Sequence, residues 1–349
     1  MVATDSPNPR GLRQNRRGEV IILMYHRVAD EVCDPWGLCV TPRHFDEQLQ
    51  VLRNGFRILS LRQLVTSLSQ GKVPSQAVTI TFDDGYADNF HAAKPLLERH
   101  NAPATFFLVS NHVGSQLEFW WDELDRLLLQ PGTLPDRFEI NIDGSSIEED
   151  LCDARSYSVE SYNLNRNWKA WEDPPTARHA LYYALWRRLR PMANRDRQRI
   201  LETVRCWAGA DRQARTSHYT VSPSELSRLA NDKLIDIGCH TMTHPQLSSL
   251  TPSGQLDEIR GCKKYLEDLL GHPVEHFAYP FGGQEDYTSD TVSLLRGMGF
   301  SSACSTLPGL VTKYSDSIQL PRMPVENWDG DEFHNKLSEW LGEPHSHGL

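Results

Sequence analysis

No stretch of this 349-residue chain is apolar over the length a bilayer span requires. The opening MVATDSPNPRGLRQNRR holds no hydrophobic segment of the kind a secretory signal needs, so a cytoplasmic protein is expected. Its arginines (Arg10, Arg13, Arg16, Arg17) stand among Pro, Asn, Ser and Gly, which reads as a solvated tail over residues 1–18. No CxxC pair occurs among the seven cysteines, Cys33, Cys39, Cys152, Cys206, Cys239, Cys262 and Cys304, and their number is odd. A disulfide framework is thereby disfavoured; reduced, mostly buried thiols are expected, with Cys33 and Cys39 the pair that could close a loop. An excess of basic residues is also missing. The net charge is −10 and the pI about 5.8, which argues against a nucleic-acid or anionic-membrane partner. Internal repeats and low-complexity tracts are absent.

Short apolar runs alternate with amphipathic segments. Strands are expected over Val20–Tyr25, Ala77–Phe82, Ala104–Val109, Ile235–Cys239, Val274–Tyr279, Phe300–Ser305 and Ile318–Val325. Helices have readable ends: Thr41-Pro42 opens one that Gly55 closes, Ser222-Pro223-Ser224-Glu225 reads as a capping box, and Thr251-Pro252 starts one ended by Gly271. This βαβα rhythm predicts an α/β fold on a mostly parallel sheet, open or closed into a barrel. It breaks between about 111 and 222. There a Phe119-Trp120-Trp121 cluster, a hairpin-like FEINIDGSS around Asp143-Gly144 and two helical runs suggest a mostly helical insertion. Either it decorates the outside or, as its many Trp and Tyr favour, it caps a site.

The strand ends carry the chemistry. Val20–Tyr25 runs into His26, Ala77–Phe82 into Asp83-Asp84-Gly85, Ile235–Cys239 into HTMTH (His240 to His244) and Val274–Tyr279 into Pro280-Phe281-Gly282-Gly283. In parallel α/β folds the loops at the C-terminal strand ends converge on one face, so these groups should share a site. Asp-Gly is good turn chemistry, but a second adjacent aspartate repels the first, and buried carboxylates need a counter-charge or a metal. Two histidines four residues apart can turn to one ion, although alone they could be satisfied loop residues. With one carboxylate they make a three-ligand set with an open position, as hydrolytic metals require.

TFDDGY, HTMTH and AYPFGG, in that order, resemble the polysaccharide deacetylases with a NodB-type catalytic domain (carbohydrate esterase family four). The resemblance runs from about Val20 to Trp340 apart from the insertion. It implies a distorted (β/α) barrel of about seven parallel strands over residues 19–349, interrupted at 111–222. The implied activity is metal-dependent removal of N-acetyl groups from an N-acetylated sugar in a polysaccharide or glycoconjugate. Implied too are Asp83 as general base and Asp84, His240 and His244 as ligands of a divalent ion, expected to be zinc. The Phe281 amide would meet the oxyanion, and Tyr86, Tyr279, Pro280, Phe281 and Gly282 would line the substrate cleft. Two departures stand out. Ala278 occupies the position where the family places an arginine that orients the base, and no C-terminal Leu-x-His supplies the acid, His334 lying on a helix-like DEFHNKL. Both resemble the branch of poly-N-acetylglucosamine deacetylases, in which an N-terminal Met-Tyr-His supplies the acid. ILMYHRV matches that motif, which implies His26 as the acid, and Arg322 in LPRMPV could replace the missing arginine. Competing expectations are a metal-dependent hydrolase of a non-sugar amide and an inactive sugar-binding module.

Overall fold

The computed structural model describes residues 18–342 apart from Val32 and Asp143, so the arginine-bearing tail and the Asp143 of the expected turn lie outside the described residues. Nine strands form one sheet. Its order is Ser302–Cys304, His276–Ala278, Ile235–Cys239, Ala104–Leu108, Ala77–Phe82, Glu19–Tyr25 and Val311–Thr312, with Arg57–Leu59 on the Ala77–Phe82 strand and Met323–Pro324 on the first. All these pairings are parallel except that of Val311–Thr312. The sheet curls toward closure, as a (β/α) barrel of this kind requires.

The central strands are mostly apolar because both their faces are buried, with Thr79, Thr81 and Thr105 as buried polar exceptions. Along Glu19–Tyr25, Ile21, Leu23 and Tyr25 enter the core beneath the helices, while Val20 and Ile22 join a second cluster with Ala77, Phe107, Ala278, Cys304 and Leu320. That second cluster takes alternate residues from strands all round the sheet, so it fills the inside of the curl. Gly238 belongs to the same face: a Cβ there would lie 2.4 Å from the Phe107 ring, so only glycine leaves the ring its place.

The expected strand Ile318–Val325 is interrupted. Leu320 bridges to Cys304, and only Met323–Pro324 pairs with the first strand. Pro321 and Pro324 lack the N–H groups a continuous ladder needs. This segment nonetheless joins the two margins of the sheet, because Ser305 N–H donates to Leu320 O and Val325 N–H to Met24 O. An unforeseen strand, Arg57–Leu59, is three residues long with an exposed first residue, too short to leave an alternating pattern.

Helix ends follow the capping chemistry. Thr41 and Thr251 accept N–H bonds at the starts of Pro42–Gly55 and Pro252–Leu270, and Ser222 with Glu225 forms the reciprocal box that opens Pro223–Ala230. The 111–222 segment has its own core, in which Trp120–Leu128, Ala177–Leu189 and Asn194–Ala208 pack around Phe119, Trp121, Leu181 and Leu185 beside the hairpin Arg137–Ile142/Ser145–Asp150. All seven cysteines are free, and Cys152 and Cys206 are exposed. No helix among the described residues is long and apolar enough to cross a membrane.

Candidate active site

Strand alternation explains why the site forms where it does. His26, Asp83 and His240 are each the first residue past a strand, and each continues the parity of an inward-facing neighbour: Ile22, Thr81 and Gly238. All three reach the inner end of the curl. There, with Asp84, His244 and Phe281, they border one cavity of about 370 Å³.

Asp83 is buried and held from both sides of its carboxylate. Arg322 Nη1 donates to Oδ1 at 2.7 Å and Nη2 to Oδ2 at 2.6 Å, a bidentate pair spanning 239 residues of chain. Arg322 is in turn fixed by Nε donating to Ser305 O at 2.8 Å and Nη1 to Thr81 Oγ1 at 3.2 Å. Burial pushes the Asp83 carboxyl up, but Arg322, with His240 and His26, outweighs it and brings the pKa down to about 2. The carboxylate is therefore charged over all ordinary pH values.

Asp84, His240 and His244 gather beside it, their ligand-type atoms all within 4.8 Å of one another. Nε2 of each imidazole lies 3.5 Å from Asp84 Oδ1. His240 Nδ1 is 2.8 Å from Ala278 O; a carbonyl only accepts, so the proton sits on Nδ1 and Nε2 keeps its lone pair toward Asp84. Asp84 Oδ1 is buried without a hydrogen-bond partner. Burial, then Asp83, raises the Asp84 carboxyl, while burial lowers both imidazoles. Neutral imidazoles and an unpartnered buried carboxylate oxygen fit a divalent cation, whose charge would offset the desolvation of Asp84.

Backbone strain collects at these turns. Asp84, Thr241, His244 and Phe281 are four of the seven non-glycine residues with positive φ among the described residues, a conformation that costs of order 1 kcal/mol and persists where the surroundings enforce it. Glu258, on the helix Pro252–Leu270, enforces it at HTMTH. It accepts from Met242 N, Thr243 N and Thr243 Oγ1 at 2.9, 2.9 and 2.7 Å, a role that nothing in the sequence pattern announces. Across the loop, Arg197 of the 111–222 segment donates to Thr243 O at 3.1 Å. Gly85 (φ +80°) completes the Asp-Asp turn, where a Cβ would stand 2.5 Å from Leu108 Cδ2. Gly85→Ala is therefore expected to lower the unfolding free energy by about 1–3 kcal/mol, read from a urea titration. An unchanged midpoint would show that the turn relaxes freely.

Several expected cleft residues sit elsewhere. Tyr86 is fully buried below the site, donating to Asp122 Oδ2 at 2.7 Å and accepting from Trp121 Nε1 at 3.0 Å. Tyr279 is also buried, donating to Ile318 O at 2.6 Å. Neither hydroxyl faces the cavity, because the strand parity that brings His26 and Asp83 inward turns Tyr279 outward into the helix-covered core. Pro280 and Gly282 form the turn that presents Phe281 and are themselves buried, outside the cavity wall. Phe281 does border the cavity, its ring 4.7 Å from that of His244. The wall that sequence reasoning did not assign is aromatic: Trp36, Trp121, Trp171 and Trp186, three of them from the 111–222 segment. For those three the only signal is the tryptophan density of that segment, and for Trp36 there is none. His334 is exposed on the helix Gly330–Trp340 and away from this wall.

The polysaccharide deacetylase family model matches residues 70–132 and 205–303, the two stretches that carry TFDDGY, HTMTH and AYPFGG, and leaves 133–204 unmatched. A Bacillus subtilis protein is 32% identical over 105 residues, 30% of this chain and 36% of its own length. The poly-beta-1,6-N-acetyl-D-glucosamine N-deacetylase of Staphylococcus epidermidis is 36% identical over 77 residues, 22% of this chain and 27% of that protein. The matched stretches thus span well under half of these relatives. Among solved structures, IcaB from Ammonifex degensii superimposes with a TM-score of 0.56 at 18% identity, covering 94% of this chain and 98% of that one, a likeness of fold. Fold and matched motif segments together make this chain similar to the polysaccharide deacetylases over residues 70–132 and 205–303.

Proposed function

We propose that this protein is a metal-dependent N-deacetylase. It would remove the acetyl group from an N-acetylated sugar of a polysaccharide or glycoconjugate, releasing acetate and a free amine. The observation that carries the reading is the juxtaposition, in one cavity, of the Asp84–His240–His244 cluster with an ionised Asp83 locked by Arg322. Asp84, His240 and His244 would hold the cation, and two imidazoles with a carboxylate suit zinc. Such a cation, when bound, supplies Lewis acidity toward an amide carbonyl and acidifies water.

The chain's own groups do the rest. Asp83, charged and immobilised, takes the proton of the attacking water. The Phe281 N–H has no hydrogen-bond partner among the described residues and is offered to the oxyanion. His26 borders the cavity, and its imidazole likewise has no hydrogen-bond partner among the described residues, which leaves it available to protonate the departing amine. Burial brings its pKa down to about 4, so the imidazolium is a strong acid toward an amine, although only a small fraction is charged at neutral pH.

An acetate-release screen over N-acetylated glycans and glycoconjugates with the metal-reconstituted protein tests the whole reading. Turnover of small cyclic amides with no acetate from any sugar would transfer the site to non-sugar amides. The acid is tested separately. His26→Ala should slow an amide substrate on the order of 10²–10⁴-fold with cation retained. An activated ester, whose leaving group needs no proton, should suffer far less. Equal loss on amide and ester, or a larger amide-specific loss in His334→Ala, would place the acid elsewhere.

A further inference from the structure

Trp171 is 61% exposed, although tryptophan is among the residues with most to gain from burial, and it borders the same cavity as Asp83, His26 and His240. It is not carried on a loose tip. The preceding residues are tied to the loop around Trp36: Ala170 N–H donates to Pro35 O at 2.8 Å and Lys169 Nζ to Asp34 O at 2.7 Å. Trp168 is buried, and its indole N–H donates to Asp173 O at 3.1 Å, closing the turn around position 171. On the facing loop a Cβ at Gly37 (φ +65°) would stand 3.4 Å from the Trp171 ring, so the bare backbone comes against the indole. A fixed aromatic ring left in water forgoes its own burial, and nothing else among the described residues covers it. A ligand surface would.

The rest of the wall says what kind of surface. Trp36 and Trp186 pack together with ring centroids 4.1 Å apart, and Leu38 and Val325 extend the apolar lining; Glu326 is the one charged residue of that wall beyond Asp83 and Asp84. Flat aromatic groups with few charges suit the C–H face of a pyranose ring. The buried Asp83 and His240 mark the inner end of the cavity, and exposed Trp171 its mouth. We propose that Trp171 is a stacking platform for a second sugar unit, next to the one whose N-acetyl group reaches Asp83, so that the protein selects oligomeric over monomeric N-acetylhexosamine. The inference rests on the reading in the preceding subsection and names the substrate form. Trp171 lies in the stretch left unmatched by the family model, so the platform belongs to this chain's insertion.

The full-length protein, without added metal, is titrated with a β-1,6-linked N-acetylglucosamine pentamer while indole emission is followed. A saturable emission change is expected, lost in Trp171→Ala and partly kept in Trp171→Phe. In the metal-reconstituted enzyme, Trp171→Ala should raise KM for the pentamer about tenfold relative to KM for the monosaccharide, with kcat on the pentamer little altered. An emission change that persists in Trp171→Ala, no emission change in the native protein, or KM values that move together would each overturn the platform. The two readings fail differently. If no sugar yields acetate, the deacetylase reading falls, while the emission titration still decides whether position 171 holds an oligosaccharide.

Discussion

Asp84→Ala is expected to abolish divalent-cation binding and acetate release together. The cluster offers three ligand-type groups, and Asp84 is its one carboxylate, with an Oδ1 that has no other partner. Without it two neutral imidazoles remain, too small a set to hold a hydrolytic ion firmly. His240→Ala should behave alike, since the bond from its Nδ1 to Ala278 fixes which nitrogen faces Asp84. Elemental analysis of the reconstituted variants checks this, and full occupancy in either would remove these residues from the ligand set. Asp83→Asn is the contrast: an amide cannot accept the water's proton, so turnover should fall on the order of 10²–10⁴-fold while most of the cation stays.

The second large effect falls on stability. Arg322 and Asp83 are both buried, and removing one partner strands the other charge in the interior, which costs about 3–5 kcal/mol. Arg322→Met, apolar and of similar length, should therefore lower the urea midpoint strongly. Adding Asp83→Asn to it should recover part of the loss, because no charge is then left unpaired. The pH dependence has a definite sign. The folded Asp83 pKa, about 2, lies below its ordinary value of 3.8, so the pair's contribution is fully present above about pH 4 and disappears as pH falls through 2. The stability gap between native protein and Arg322→Met should accordingly narrow across that window. A gap that stays constant would mean that Arg322 acts through packing alone.

Much of this architecture could be read from residue order, and for a physical reason. Strands buried on both faces must be largely apolar, so Ile21–Tyr25 and, despite its two threonines, Val78–Phe82 announce themselves, and the charged or imidazole residue after each run marks the face where the candidate site forms. Arg322 is offered by the resemblance as a replacement for the arginine missing at Ala278, and the structure sets its guanidinium on both oxygens of Asp83. What stayed illegible depends on surroundings that a linear pattern does not encode. A tyrosine beside a motif looks the same whether its hydroxyl meets solvent or, like Tyr86, a buried Asp122. Glu258 looks like any helix glutamate until the HTMTH backbone is folded against it. The cavity tryptophans come from chain segments far apart in sequence, so their number was visible and their common wall was not.

The segment from Leu320 to Val325 joins the margins of the sheet and delivers Arg322 to a carboxylate 239 residues earlier in the chain. This imposes an order of assembly. Asp84, His240 and His244 are all in hand once synthesis has passed the HTMTH loop, whereas Asp83 gains its guanidinium only after Arg322 has also been made. A chain cut before Leu320 would own all three proposed cation ligands and leave Asp83, the proposed proton acceptor, unpaired. Loosening of the Leu320–Val325 segment in the folded protein would have the same effect, parting the proposed cation site from the proposed proton acceptor.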